Sequence, residues 1–334
     1  MPAISPTRLV QAIFEGIQSS GASPAYTSDT VRTHPREFII SHLDESISVW
    51  VYIWSLTHGG RPSLPDEYRI QMTSVITPLQ LNPRGYTVLL GYFQDLNVFA
   101  GFDIQRHRTF STGSPSVQID IGALHQALQY GLSFQRKNNQ EIAIGIRPDQ
   151  LFTYIKNALL LHEHGSDTVL FDLLVKASEC QTLSPEELEP LPQNRSTIVT
   201  TVNRLSRSSS FRQVVLNAYD SRCSVTRVQL KLVEAAHILP VAAEGSHDHC
   251  SNGIALSPTM HKAYDNGLIY LDTDFSMRLN EEKAAELQTV NLHAGLKQVA
   301  FFLNRKIHLP TDPAQRPNQD LIIEANRVRR IPGF

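Results

Sequence analysis

Three polar side chains that can take part in hydrolysis follow one another at short spacings in the last third of the chain. His237 lies in the apolar stretch EAAHILP, Asn252 follows fifteen residues later, and His261 nine residues after that. Asp265 comes four residues after His261, on the same face of a predicted helix. A neutral imidazole can take a proton from water near neutral pH, and a second histidine or a carboxylate can bind a divalent cation. The pattern predicts metal-assisted hydrolysis, whereas His237 alone would ordinarily be a core residue.

Four short motifs surround these residues. The lead-in FR…Y…RC…VT begins at Phe211, AHI-x-P contains His237, NGI-x-L contains Asn252, and H-x-x-YD-x-GL begins at His261. Over about residues 204–280 the chain therefore resembles the HNH (ββα-metal) nucleases, in the branch found in restriction-type endonucleases. The resemblance implies hydrolysis of DNA phosphodiester bonds.

The resemblance also implies a role for each residue. His237 would activate the attacking water, His261 would bind the metal, and Asn252 would fix the loop and the orientation of the His237 ring. The implied cofactor is a divalent metal, for which we expect Mg²⁺, with Mn²⁺ or Ni²⁺ as alternatives.

Ala236 departs from the family pattern, because many HNH nucleases have Asp or His as a metal ligand immediately before the base histidine. We expect Asp265 to supply the missing ligand, since some family members have a second ligand four residues after the helix histidine. Glu234 is the second candidate, although strand alternation places it on the face opposite His237. A structural role is the alternative for both carboxylates. CSVT (223–226) has one cysteine where a CxxC pair needs two, so we predict no structural zinc.

Positive charge is concentrated around the start of the motif, although the formal net charge of the chain is −2. Residues 204–234 contain six basic and two acidic side chains, and the C-terminal stretch adds Arg327, Arg329 and Arg330. Such a cluster suits phosphate contacts that fix register without reading sequence, and an ordinary solvated face is the alternative. The predicted DNA-binding residues of residues 204–234 are Arg204, Arg207, Arg212, Arg222, Arg227 and Lys231.

Short elements are predicted to position these residues. SSSFRQVVLNAY begins with serines suited to an N-cap and predicts a helix over about 210–219. Residues 220–240 predict a hairpin-like pair of strands with a turn near 226–229. A loop, a short helix over PTMHKAYDNG closed by Gly267, and two strands in LIYLDTDFSMRL follow.

The first half of the chain is rich in β-branched and aromatic runs separated by Gly, Pro, Asn and Asp. We expect an α+β domain built around a curved, mainly antiparallel sheet. The predicted strands are 47–56, 68–75, 86–93, 98–104, 116–121 and 141–146, and the predicted helices are 5–18, 122–131 and one from about 148.

This first domain contains no recognisable catalytic motif, so we interpret it as a module that reads specific or modified DNA. Arg106 and Arg108 are candidates for phosphate or base-edge contacts. Tyr68, Tyr92 and Phe110 are candidates for stacking on an extruded base, and ordinary core packing is the alternative for each of them.

The predicted fold class is α+β, with a β-rich recognition domain at 1–178, a linker at 179–200 and an HNH ββα-metal nuclease domain at 201–334. Residues 180–196 contain three prolines and a local acidic bias, which is typical of a linker. A length of 334 residues suits two domains, and three cysteines without a CxxC pair suit a reducing compartment. No signal peptide or membrane span is predicted, so we expect a soluble, cytoplasmic protein.

The sequence therefore predicts a metal-dependent DNA endonuclease of restriction or defence type, with homodimers for double-strand cleavage. One alternative is a non-catalytic DNA-binding protein on an HNH scaffold. The other is an HNH effector whose first domain senses something other than DNA.

Overall fold

The computed structural model describes residues 4–42, 45–111, 115–163 and 167–334. The chain divides into two compact units, the first ending at Ser209 and the second beginning at Ser210. The predicted α+β class is confirmed, because a β-rich first unit precedes a smaller mixed unit. Within the described ranges, no helix is long and apolar enough to cross a membrane.

The first unit is built on two β-sheets with helices beside them. The strands are β1 (Ser23–Tyr26), β2 (Arg36–His42), β3 (Glu45–Ser55), β4 (Thr57–His58), β5 (Glu67–Gln71), β6 (Tyr86–Phe93), β7 (Val98–Phe102), β8 (Ser116–Asp120), β9 (Leu132–Arg136) and β10 (Ile142–Ile146). The helices are α1 (Pro6–Ser19), α2 (Ile104–His107), α3 (Ile121–Tyr130), α4 (Leu151–Glu163), α5 (Thr168–Ser178), α6 (Pro185–Leu188) and the first part of α7 (Gln193–Ala218).

The larger sheet has the order β1-β2-β3-β6-β7-β10-β9, and β4-β5-β8 form the smaller one. Within the larger sheet β3 and β6 run parallel, and the other described neighbours run antiparallel. Side chains of β3 alternate between two cores, as a pleated strand requires. Val49, Val51 and Ile53 pack with α1 and α4, whereas Tyr52 and Trp54 pack with the smaller sheet.

Several predicted strand ends shift in the structure. β5 ends at Gln71 rather than near 75, where Ser74 has a φ of 60° that does not suit an extended strand. β7 ends at Phe102 because the Asp103 carboxylate caps α2 by accepting hydrogen bonds from two backbone N–H groups. Strands β1, β2, β4 and β9 were not predicted.

The predicted linker at 179–200 contains α6 and the start of α7. Ile198, Val199 and Val202 of α7 are buried in the core of the first unit, so this stretch packs rather than extends. Helix α7 starts 17 residues before the predicted helix at 210. Ser206 and Ser209, just before or within the serine-rich N-cap signal, are buried in the middle of the helix.

The second unit contains a pair of strands and a helix, followed by a small sheet and three further helices. Its strands are β11 (Glu234–His237), β12 (Gly253–Leu256), β13 (Ile269–Leu271), β14 (Ser276–Leu279) and β15 (Arg305–Lys306). After the last part of α7, its helices are α8 (Pro258–Asp265), α9 (Glu281–Thr289), α10 (Leu296–Ala300) and α11 (Gln319–Val328).

The hairpin predicted within residues 220–240 is wrong. Residues 221–233 form turns and irregular backbone, and β11 pairs instead with β12. Positive φ angles at Arg227, Leu230 and Lys231 interrupt any extended strand there.

Candidate active site of the second unit

The two strands and the helix that follows them hold the predicted site residues. β11 and β12 pair antiparallel, with His237 opposite Gly253. A Cβ on Gly253 would collide with Val215 and with the Phe211 ring, so the glycine allows α7 to pack closely against the strand pair. Helix α8 begins at Pro258 directly after β12, where the fixed φ of proline suits the first turn.

His237 is held on two sides. Its ring stacks on Phe211 with centroids 3.7 Å apart and an interplanar angle of 11°. Its Nε2 lies 3.0 Å from Asp248 Oδ1, and the side chain keeps 18% of its surface exposed. Because a carboxylate accepts hydrogen bonds, Nε2–H is the donor and the neutral ring has its lone pair on Nδ1. The neighbouring Ala236 is buried in the core.

Asn252 is completely buried and holds the loop that joins β11 to β12. Its Oδ1 accepts a hydrogen bond from Leu239 N at 2.8 Å, and its Nδ2 donates to Leu239 O at 3.2 Å and His247 O at 3.0 Å. Its backbone carbonyl accepts from Ile238 N. Asn252 therefore positions the loop that contains Asp248, while the ring of His237 is contacted by Asp248 and Phe211.

Replacing Asn252 with alanine is expected to destabilise this loop. The change leaves the buried backbone N–H and C=O of Leu239 without their Asn252 partners, which costs about 1–3 kcal/mol for each group, and it also removes the hydrogen bond to the half-buried carbonyl of His247. We expect amide hydrogen exchange at Leu239 to accelerate by at least about tenfold. Asn217→Ala, on an exposed position of α7, is the control. Unchanged protection of the Leu239 amide would contradict this role.

His261 is contacted by both carboxylates that the sequence offered as metal ligands. Glu234 Oε2 lies 2.7 Å from His261 Nδ1, and Asp265 Oδ2 lies 3.4 Å from His261 Nε2. Carboxylate oxygens are donors that suit Mg²⁺ and Mn²⁺, and imidazole suits transition metals such as Ni²⁺. As the side chains stand, no group of three or more His, Cys, Asp or Glu within the described residues forms a metal site.

A cleft of about 610 Å³ brings the two histidines to one surface. His237, His261 and Asp265 all line it, whereas Glu234 and Asn252 do not. The other lining residues are Ala235, Pro240, Val241, Asn266, Gly267, Val328 and Arg329.

This strand pair, its loop and the following helix coincide with a known family. Residues 223–272 match the sequence profile described as HNH endonuclease. The second unit contains an HNH endonuclease domain. The resemblance predicted from the four motifs is thereby confirmed, and the match supports a nuclease domain in the second unit.

Outside the HNH domain, residues 47–155 match the family described as Methylase-associated X1. No curated protein sequence matches the chain. Among solved structures, the chain is similar to one described as a modification dependent TagI restriction endonuclease, at 14% identity over 85% of this chain and 81% of that chain. The TM-score of 0.28 is too low to carry an argument about fold or function.

The six basic residues of 204–234 that were predicted to bind DNA do not line the cleft of the HNH domain. Arg222 and Lys231 are exposed, Arg212 and Arg227 are half-buried, and Arg212 Nη2 donates to Val233 O at 3.5 Å. The remaining two, Arg204 and Arg207, are exposed on the part of α7 that belongs to the first unit. Their contact with DNA stays a prediction.

The candidate DNA-reading arginines of the first unit lie at α2. Arg106 is exposed, with Nε 3.7 Å from Asp103 and Nη1 donating to Asn139 O. Arg108 is half-buried, and its Nε donates to Leu79 O.

The aromatic candidates of the first unit differ in exposure. Tyr92 is completely buried and Phe110 packs on the core, so Tyr92 is core rather than a stacking platform. Tyr68 packs against Phe93 and is half-buried.

Sequence reasoning missed two contacts of the site. Asp248 lies between His247 and His249 in the loop before β12, and nothing in this stretch of sequence indicates that its carboxylate contacts His237. Phe211 was noted only as part of the lead-in motif, although its ring supports His237.

Cys223 and Cys250 are buried free thiols. Burial raises the pKa of Cys223, but hydrogen bonds from Thr226 and neighbouring backbone groups outweigh it and leave the pKa lowered.

Proposed function

We propose that the chain is a metal-dependent DNA endonuclease of restriction type, whose first unit reads specific or modified DNA and whose HNH domain cuts it. One observation carries the proposal. His237, supported by Asp248 and Phe211, lies on the same cleft as His261 and Asp265, within the residues that match the HNH endonuclease family.

His237 is the general base of this mechanism. With the Nε2 proton donated to Asp248, the Nδ1 lone pair accepts a proton from the attacking water. The water oxygen forms a bond to phosphorus as the bond from phosphorus to the 3′ oxygen breaks. The 3′ oxygen takes a proton from solvent, and His237 later releases its own proton to solvent.

His261 and Asp265 would bind the divalent cation, and Glu234 would hold the ring of His261 in place. Glu234 accepts the Nδ1 proton of His261, which leaves Nε2, the nitrogen beside Asp265, as the ligand atom. A cation bound there supplies charge neutralisation at the phosphate and at the leaving oxygen. The Asp265 carboxylate suits Mg²⁺, the expected ion, or Mn²⁺, and the His261 imidazole suits Ni²⁺, the other alternative. Glu234 is thereby proposed to orient His261 rather than to bind the metal.

The first unit is proposed to select the DNA. Its match to a family described as methylase-associated supports a connection with DNA modification. Arg106 and Arg108, which flank His107 at α2, are the proposed contacts to phosphates or base edges. His107 itself is held by the buried Glu141 at 2.6 Å, so this helix end is anchored to the sheet.

Nicking of supercoiled plasmid by the full chain tests the proposal. Unmodified, cytosine-modified and phosphorothioated plasmids are each incubated with Mg²⁺, Mn²⁺ or EDTA. We expect nicking that EDTA abolishes and that one form of the DNA accelerates. Cleavage in EDTA would contradict the metal-dependent mechanism, and equal rates on all plasmids would contradict the reading of a modification. If the chain binds DNA but cleaves none of the plasmids, the result would favour the non-catalytic alternative.

Double-strand cleavage requires two cuts, and each chain has one HNH domain. We propose that two copies act together, so that linear product forms with a steeper dependence on protein concentration than nicked product.

A further inference from the structure

Arg329 lies in the cleft of the HNH domain although it comes 57 residues after the end of the family match. It is the C-cap of α11, whose Ile322 and Ala325 are buried in the core of the second unit. Asn326 Nδ2 donates to Leu271 O at 2.8 Å and ties the same helix to β13. Arg329 is therefore presented to the cleft by a firmly packed element.

The guanidinium of Arg329 contacts both parts of the second unit that hold the site residues, the segment after β11 and helix α8. Its Nη1 donates to Ile238 O at 2.7 Å, next to His237 in the chain. Its Cζ lies 4.3 Å from the ring centroid of Tyr264, the neighbour of Asp265 on α8. A weaker contact at 3.4 Å joins Nη1 to Ala325 O. These contacts hold the group in one place, because stacking and hydrogen bonding together restrict a planar guanidinium.

The charge of Arg329 is not neutralised by any described residue. Within the described ranges no carboxylate forms an ion pair with it, whereas Arg327 on the same helix pairs with Glu324 at 3.5 Å. Its hydrogen bonds to described residues use Nη1 alone, so the N–H groups of Nε and Nη2 have no acceptor within the described ranges. An arginine in a cleft with unused donors is suited to a phosphate, which accepts two parallel N–H bonds.

We infer that Arg329 binds the non-bridging oxygens of the phosphate. This is the phosphate attacked by the water that His237 activates. Negative charge on these oxygens increases as the new bond forms, and a positioned cation stabilises it more than it stabilises the bound substrate. This inference rests on the proposed nuclease function. Arg327 and Arg330, which the sequence grouped with Arg329, do not line the cleft.

Arg329→Met and Arg329→Lys test the inference in the full chain, with Lys297→Ala as the control. Lys297 is exposed on α10 and outside the cleft, so its loss changes the charge of the same unit by the same amount as Arg329→Met. We expect Arg329→Met to slow single-turnover plasmid nicking about 10²–10³-fold, and Arg329→Lys to recover part of that rate. Lys297→Ala should nick at the wild-type rate. Melting curves identify any variant that fails to fold.

A second measurement separates phosphate binding from structural support. DNA affinity is measured in EDTA over a series of salt concentrations, and Arg329→Met should reduce the slope of log K against log salt by about 0.9. Slower nicking with an unchanged slope would make Arg329 a support for β11 and α8 and would overturn the inference. Wild-type nicking by Arg329→Met would overturn it as well. If the wild-type chain nicks no DNA, the proposed function fails, and the salt slope alone decides whether Arg329 binds phosphate.

Discussion

Replacing His237 with alanine is expected to slow plasmid nicking by about 10²–10⁴-fold, the usual contribution of a positioned general base. The loss follows because Asp248 and Phe211 hold no other group where the imidazole Nδ1 stood. Single-turnover nicking at saturating Mg²⁺ measures the chemical step directly. His293→Ala, an exposed histidine of the same unit, is the matched control and should retain the wild-type rate.

Two further experiments distinguish a general base from a histidine that only supports the structure. Imidazole added to the His237→Ala variant should restore part of the rate, since the ring leaves a space beside Phe211. Asp248→Asn should lose a smaller factor, about 10–100-fold, because it disturbs the proton on Nε2 without removing the base. A His237→Ala variant that nicks within threefold of wild type would show that another group activates the water.

The second large expected effect is the loss of nicking when the metal or its proposed ligand His261 is removed. We expect His261→Ala to lose nicking by more than about 10²-fold at millimolar Mg²⁺, because one of two proposed protein ligands on the cleft is lost. Titration of the nicking rate with Mg²⁺ and Mn²⁺ measures the requirement, and Mn²⁺ binding followed by electron paramagnetic resonance gives an independent reading. EDTA treatment of the wild-type chain should reproduce the loss, and excess Mg²⁺ should reverse it.

The same metal titration distinguishes the roles of the two carboxylates that contact His261. Asp265→Ala should raise the required metal concentration more than Glu234→Gln, because the glutamine amide oxygen can still accept from His261 Nδ1. The reverse order would make Glu234 the ligand. Wild-type metal dependence of the His261→Ala variant would exclude the proposed site.

Local sequence determined helix α8 and the spacing of the polar residues of the candidate site, but not the pairing of β11 with β12. His237, Asn252 and His261 are separated by fifteen and nine residues, so one hairpin and one helix bring them together with few other constraints. The α+β class was predictable for a similar reason, since short runs rich in β-branched and aromatic residues, such as β3 and β6, favour strands by themselves. These features depend on neighbours within a few residues.

Tertiary packing decided the remaining features of the site. Phe211 reaches His237 from α7, Asp248 returns from the loop, and Arg329 comes from α11 at the far end of the chain. Neither their spacing nor their residue type distinguishes them from an ordinary core aromatic, a loop carboxylate or a surface arginine. Their positions depend on how α7 and α11 pack against the strand pair, and such long-range contacts leave no period in the sequence. The sequence pattern was sufficient to propose His237 as the base and His261 as the helix histidine, while only the packed structure shows which side chains hold and surround them.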